Sequence, residues 1–271
     1  MGNALFIVWR ETIEAMLVIG ILHGWLSARP EARAGFPWLW GGIAAGLGLA
    51  VFLAMTIMDI QSWASAGALE WFQVLMPLVA CGLIFQMVWW MRRHGAGLKK
   101  ELEAGMASAA ERANWLGIAI LATVAVGREG AETVVFLYGA VKGGTGADIA
   151  VGGAAGFVLA LAVYWLLSRG SRFVSWRAFF RVTEVLLLLL GGALLVDGTE
   201  KLVGLEALPA LADPLWNTAS LLDDSTRAGG LVAAFTGYRA APSGMAYALL
   251  AVYWALALGV LLKLKPMRRK A

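Results

Sequence analysis

The sequence has few charged residues for its length. Only 15% of its 271 residues are charged, 60% are hydrophobic, and the mean hydropathy is +0.74. An ordinary soluble domain carries about 25% charged residues. A composition this apolar indicates that lipid surrounds most of the folded chain.

Cysteine and histidine are also scarce. The single cysteine, Cys81, cannot form a disulfide framework or a thiolate metal cluster within one chain. His23 and His94 are too few and too far apart for an imidazole metal site. The sequence also lacks the G-x-x-x-x-G-K-[ST] phosphate-binding motif, so any ATPase that drives transport would be a separate protein.

The apolar residues form seven segments that are long enough to cross a bilayer. A hydrocarbon core about 30 Å thick needs about 20 helical residues. The predicted spans are residues 3–27, 38–58, 68–91, 114–141, 147–168, 179–201 and 243–264. The first of these lacks a basic leading region and has charged residues in its middle, so it is not an ordinary cleaved signal peptide. The fold class is therefore all-α integral membrane, with seven transmembrane helices.

The basic residues predict the orientation of these helices. Sixteen of the 22 lysines and arginines follow the first, third, fifth and seventh spans. Short connections that carry Lys or Arg stay on the cytoplasmic side. We therefore expect the N-terminus outside and the C-terminus in the cytoplasm. Such dispersed clusters do not form the continuous basic face of a nucleic-acid-binding protein, although the net charge is +4.

Three features of the first half recur in the same order in the second. They are the Arg-Glu-x-x-Glu motif at residues 10–14 and 128–132, the glycine pairs at residues 42–46 and 152–156, and the glutamates Glu70 and Glu184. The glycine spacing allows membrane helices to approach closely. Because each unit has three helices, the second enters the membrane from the opposite side. Two inverted three-helix repeats are a transporter architecture, with sites expected near the midplane between them.

The repeat divides the chain into five parts. We expect a first three-helix repeat at 1–91, a cytoplasmic loop with a short surface helix at 92–113, and an inverted second repeat at 114–201. A large acidic external loop follows at 202–242. A seventh helix with a basic cytoplasmic tail occupies 243–271. Asp197 and Glu200, near an outer span end, are expected to be solvated at the membrane interface.

The charged residues inside spans one and four require an explanation, because inserting each of them at the bilayer centre costs about 2.5 to 3.5 kcal/mol. At about 100° per residue, Arg10, Glu11 and Glu14 occupy one face of their helix. Arg128, Glu129 and Glu132 likewise occupy one face of theirs. Both groups can therefore point into the bundle and away from lipid.

Convergent carboxylates with no cysteine nearby favour hard cations, namely iron, manganese, magnesium or calcium, of which Fe(III) is the hardest. The predicted metal residues are Glu11, Glu14, Glu129 and Glu132, with Glu70 and Glu184 as auxiliary carboxylates and Arg10 and Arg128 as supporting cations. Each arginine can hold the carboxylate four residues later and partly neutralise the empty site. The alternative is that the arginines and glutamates are buried ion pairs that fix helix packing. Glu70 and Glu184 also lie near helix N-termini, where the helix dipole alone favours glutamate.

With the doubled motif, further segments resemble the oxidase-dependent iron transporter family, which includes fungal high-affinity iron permeases, bacterial inner-membrane relatives and some members associated with lead. They are Trp89-Trp90-Met91 at the end of span three, Leu215-Trp216-Asn217-Thr218 in the external loop and residues 237–243 before the last helix. The resemblance implies uptake of iron as Fe(III), after oxidation of Fe(II), through Glu11, Glu14, Glu129 and Glu132. Asn217 stands where the family usually has aspartate, which weakens any metal-binding role for that loop position.

The resulting prediction is an inner-membrane iron permease that is not an enzyme and carries no cofactor, with iron as its transported substrate. Its expected partners are iron ions, membrane lipid and separate periplasmic iron-binding or oxidase proteins, and no nucleic acid. Two alternatives remain open. The cargo could be another metal, such as lead or manganese, or protons passed along the carboxylates. The chain could instead be a membrane anchor subunit for periplasmic redox partners.

Overall fold

The computed structural model describes residues 2–94, 97–111, 114–140, 146–168 and 176–263, and within these ranges it contains helices and no strand. The α-helices are α1 (Gly2–Ser27), α2 (Phe36–Trp63), α3 (Ala66–His94), α4 (Leu98–Glu111), α5 (Trp115–Ala140), α6 (Gly146–Ser168), α7 (Trp176–Gly204), α8 (Arg227–Thr236) and α9 (Gly244–Lys263). A 3-10 helix at Pro30–Gly35 joins α1 to α2.

Each predicted span coincides with a long helix. These helices are α1, α2, α3, α5, α6, α7 and α9. The short helix expected in residues 92–113 is α4, and residues 202–242, which were predicted to form an external loop, contain α8. Arg112, Lys142, Arg169, Arg172 and the predicted basic tail after residue 263 lie outside the described residues.

Four helical segments are long and apolar enough to cross a membrane. They are Pro30–Trp63, Ala66–Arg93, Gly146–Leu166 and Phe180–Gly204, and a shorter apolar helix runs over Gly244–Gly259. The α1 and α5 helices each contain the three charged residues of a motif, so their composition alone does not mark them as spans. Large apolar side chains on α2, including Phe52 and Met58, face outward. A long apolar helix with an exposed apolar surface is typical of an integral membrane protein.

The motif helices α1 and α5 run antiparallel. The Asn3 side chain near the start of α1 donates a hydrogen bond to the Ala140 carbonyl at the end of α5, at 3.1 Å. One apolar core contains Phe6 at the start of α1 and Phe136 near the end of α5. A second core contains the last turns of α1 and the first turns of α5. Both charged motifs therefore lie between the two apolar cores.

Glycines bring the two halves together crosswise, with α2 against α5 and α6 against α1. A Cβ atom on Gly46 would lie 2.9 Å from the Gly127 nitrogen and 3.0 Å from the Thr123 carbonyl oxygen. A Cβ atom on Gly156 would lie 3.0 Å from the backbone nitrogen of residue 9 and 2.4 Å from the carbonyl oxygen of residue 5. The residues contacted in α5, 127 and 123, are each 118 positions after the residues contacted in α1, 9 and 5. The two charged motifs are separated by the same 118 positions. The predicted close approach at these glycines is confirmed.

The third helices of the two halves, α3 and α7, pack against each other in opposite directions. Near the start of α3, the Gln73 carbonyl accepts a hydrogen bond at 3.0 Å from the Lys201 ammonium group near the end of α7. At the other end of the pair, Arg92 of α3 forms an ion pair with Glu184 of α7. The α3 and α7 helices are thus joined by polar contacts at both ends.

Candidate metal centre

Three glutamates from two helices converge on one buried point. Glu11 and Glu14 of α1 and Glu129 of α5 each offer a carboxylate oxygen, and these oxygens lie within 4.8 Å of one another. Two carboxylates at that separation repel, and the repulsion is relieved by a cation that both oxygens bind.

The fourth predicted ligand, Glu132, lies beside this group. It lies on α5 three residues after Glu129, on the same face of the helix, and is not in the group whose oxygens lie within 4.8 Å of one another. Glu132 is one helical turn from Arg128 on α5, whose Nε atom donates a hydrogen bond to it at 2.8 Å. The structure therefore gathers three predicted ligands tightly and holds the fourth through an arginine.

Arg10 is completely surrounded by protein. It donates a hydrogen bond from Nη1 to Glu11 at 2.6 Å and forms an ion pair with Glu14 through Nη2. The same Nη2 atom donates to the sulfur of Met91 on α3 at 3.6 Å. A buried guanidinium with two carboxylate partners offsets part of the negative charge that α1 brings into the apolar interior.

Arg128 occupies the matching sequence position in α5, but its surroundings differ. Its side chain is 38% exposed, against 1% for Arg10. Besides its ion pair with Glu132, its guanidinium lies over the ring of Trp90, 4.7 Å from the ring centroid. The two copies of the motif are therefore not equivalent in this conformation.

Three of the four glutamates have a buried carboxylate oxygen that receives no hydrogen bond from the described residues. These atoms are Glu11 Oε2, Glu129 Oε2 and Glu132 Oε2, whereas Glu14 Oε1 is held by Arg10 in the ion pair. Buried polar atoms are normally satisfied, so such a group is unusual. Oxygen atoms without donors, gathered around one point, are the ligands that a hard metal ion prefers.

The two auxiliary glutamates lie apart from this cluster. Glu184 is held by Arg92 in the ion pair between α7 and α3. Glu70 is exposed on the second turn of α3. In the conformation described here, neither belongs to the group of convergent carboxylates.

The two segments between α7 and α9 that resemble the transporter family contact each other. Backbone hydrogen bonds join Leu215 to the Pro242 carbonyl at 2.7 Å and Thr218 to the Ala240 carbonyl at 2.8 Å. The Asn217 side chain accepts a hydrogen bond from the Ala219 backbone N–H, a local turn contact. These contacts give the two segments a structural role in the loop.

One sequence-based expectation is wrong near the C-terminal end of α7. Asp197 is buried, with 4% of its surface exposed, instead of being solvated at the interface. Arg239 donates to it at 3.2 Å and also to Asp224 at 3.1 Å, while Lys201 lies 3.4 Å from its second oxygen. Burial is tolerated because two cations compensate the carboxylate. Glu200 is partly buried and accepts a hydrogen bond from the Ser243 backbone.

Sequence analysis alone missed the contacts of Trp90 and Met91 with the two site arginines. Both residues belong to the apolar pattern of span three, so nothing in their local sequence distinguishes them from packing residues. The available signal was their position at the end of the span whose Trp89-Trp90-Met91 sequence carries part of the family resemblance.

In the part of the chain that the structure describes, long apolar helices surround a group of buried carboxylates. Carboxylates inside membrane helices mark ion pathways, so this arrangement is typical of membrane transporters of cations. The sequence profile described as Iron permease FTR1 family matches residues 1–268. The chain belongs to this iron permease family.

Curated relatives agree with the family assignment. The chain is similar to a protein named ferrous iron permease EfeU from Escherichia coli O6:H1, with 27% identity over 242 residues that cover 88% of this chain and 86% of the relative. A protein of the same name from Yersinia pestis is 25% identical over 243 residues, which cover 88% of this chain and 84% of the relative. No solved structure gives a significant match. Family members and relatives are permeases, so the chain is a multi-pass membrane transporter of the iron permease family.

Proposed function

We propose that this protein imports iron across the bacterial inner membrane, and that Glu11, Glu14, Glu129 and Glu132 bind the ion on its way. Arg10 and Arg128 hold these carboxylates when iron is absent. The observation that carries the proposal is the buried convergence of Glu11, Glu14 and Glu129 within 4.8 Å between two motif helices. Structural ion pairs alone do not account for it, because Glu129 has no ion-pair partner within 4.0 Å among the described residues.

The proposed transport route uses seven membrane spans arranged as two inverted repeats and a last helix. Support comes from the antiparallel pairing of α1 with α5 and of α3 with α7. The crosswise glycine contacts, related by the same 118-residue shift as the motifs, support it further. In this proposal the N-terminus is outside, the C-terminus is cytoplasmic, and α4 lies on the cytoplasmic surface. Iron crosses by alternating exposure of the carboxylates to the two sides.

The oxidation state of the transported iron has two candidate answers. The relatives are named ferrous iron permeases, which favours Fe(II) as the form supplied to the protein. Four carboxylates form a hard donor set, which suits Fe(III) produced by prior oxidation. Separate periplasmic iron-binding or oxidase proteins would be the partners in the second case.

Iron uptake into proteoliposomes tests the proposal. Wild-type protein is compared with the double variant Glu14→Gln and Glu132→Gln at matched membrane content, with iron offered first as Fe(II) without oxygen and then as chelated Fe(III). The control is Glu101→Gln, which removes an exposed carboxylate from α4. We expect uptake by wild type and the control, and a loss of at least about tenfold in the double variant.

Each outcome has a distinct meaning. Equal uptake by wild type and the double variant would contradict the assignment of the carboxylates. No uptake of either iron form by wild type, with normal protein insertion, would contradict iron import by the chain alone. Competition by manganese or lead at equimolar concentration would favour a different or broader cargo.

A further inference from the structure

Three consecutive residues near the end of α3 each hold a charged side chain from a different helix. The Trp90 ring lies under the Arg128 guanidinium of α5, and the Met91 sulfur accepts a hydrogen bond from Arg10 of α1. Arg92 forms an ion pair with Glu184 of α7. Successive residues of a helix point about 100° apart, so one short segment can reach three neighbouring helices. We call these three residues the 90–92 segment.

This segment contacts both motif arginines, and the arginines in turn hold the carboxylates. Arg10 pairs with Glu11 and Glu14, and Arg128 pairs with Glu132. A metal ion that binds the glutamates competes with the arginines for the same oxygens. Its arrival therefore weakens the attachment of the arginines to the site and changes their contacts with α3.

The segment is also placed where its movement would open the site. The α3 helix ends only two residues beyond Arg92, and α4, which follows, packs against α1 and α5. The Arg92–Glu184 pair is partly exposed, at 22% and 18%, so its opening is less costly than that of a fully buried pair. Displacement of this helix end would connect the carboxylates with the α4 side of the molecule.

We propose that the 90–92 segment is the gate on the α4 side: Trp90 and Met91 position the two site arginines, and the Arg92–Glu184 pair keeps the gate closed until iron displaces the arginines. This inference rests on the proposed function. It adds a positioning role for Trp90 and Met91 and a closing role for the ion pair.

Thiol accessibility tests the gate. Cys81 is replaced by Ala, and Ala125→Cys introduces a reporter one turn before Glu129 on α5, on the side of the site toward α4. A membrane-impermeant maleimide is added from the α4 side of vesicles that contain the full-length protein, with and without anaerobic Fe(II). Iron binding is measured on the same samples.

We expect Fe(II) to speed modification of wild-type protein by about tenfold, and Arg92→Gln to speed it by a similar factor without iron. The same variant should bind Fe(II) more tightly than wild type, because it favours the open state that iron favours. The exchange Arg92→Glu with Glu184→Arg should restore slow modification. Met91→Leu keeps the volume but loses the sulfur acceptor, so it should accelerate modification by about twofold. Lys99→Gln, which removes a charge from an exposed pair on α4, should have no effect.

The results separate the gate from the proposed function. Wild-type protein that binds Fe(II) but shows equal modification rates in every variant would overturn the gate and leave iron binding intact. Protein that binds no Fe(II), with modification still controlled by the Arg92–Glu184 pair, would overturn iron as the cargo and retain the closing role of the pair.

Discussion

Glu129 is the carboxylate of the site with the least compensation. It is 8% exposed, one of its oxygens receives no hydrogen bond, and no cation lies within 4.0 Å of it among the described residues. Burying an uncompensated carboxylate destabilises a fold. A protein keeps such a residue when function needs it. We therefore expect the metal-free site to lower the free energy of unfolding, and iron binding to restore it.

The Glu129→Gln variant tests this trade between stability and binding. We expect a higher melting temperature than wild type without iron, because a repelling buried charge is removed while the side-chain shape is kept. We also expect loss of the stabilisation by Fe(II), which reaches about 2.7 kcal/mol at 100 times the Kd for an intact site. Thermal unfolding in detergent, with and without anaerobic Fe(II), measures both. A lower melting temperature in the metal-free variant would contradict this account.

The two arginines offer a second comparison at the residue scale. Arg10→Gln leaves Glu11 and Glu14 buried without their cation, and breaking such a buried pair costs about 3 to 5 kcal/mol. Arg128→Gln removes a half-exposed pair and a contact with Trp90, for which we expect about 1 kcal/mol. Thermal unfolding of the two variants should rank them in this order. An equal fall in melting temperature for the two variants would show that the different burial of Arg10 and Arg128 does not affect stability.

At the scale of helices, the crosswise packing depends on glycines that touch a neighbouring backbone. A Cβ atom at Gly156 would lie 2.4 Å from a carbonyl oxygen of α1, so the helices must separate to admit it. Gly46→Ala and Gly156→Ala should therefore lower the melting temperature and reduce iron uptake. The matched control is Gly48→Ala on α2, since no described residue outside its own stretch of helix lies within 4 Å of the Cβ it would add. The control should be neutral or slightly stabilising, because alanine favours the helix more than glycine does. Loss of stability in the control as well would mean that glycine is needed for another reason.

The helices themselves could be predicted from the sequence, because runs of about 20 apolar residues have no other stable arrangement in lipid. Their side-chain partners could be predicted only where they are local. The Arg128–Glu132 pair follows from the spacing of one helical turn, whereas the burial of Asp197 depends on Arg239, 42 residues away. The different exposure of Arg10 and Arg128 could not be predicted, since both lie in the same motif and the difference arises from tertiary packing.

At the scale of the whole molecule, reporter fusions in an inner-membrane host test the proposed orientation. Alkaline phosphatase inserted in the external loop between α7 and α8 should be active, because the loop is expected in the periplasm. A fluorescent protein fused after the last residue should fluoresce, because the C-terminus is expected in the cytoplasm. The opposite pattern would contradict the orientation and exchange the two sides in the transport scheme.

The crosswise contacts also have the form of an isologous interface, in which the same surface of two partners meets itself in reverse. If a three-helix ancestor had this packing, two of its copies could have paired as a homodimer with opposite directions in the membrane. Joining the copies in one chain would free each motif to change by itself, in keeping with the unequal surroundings of Arg10 and Arg128.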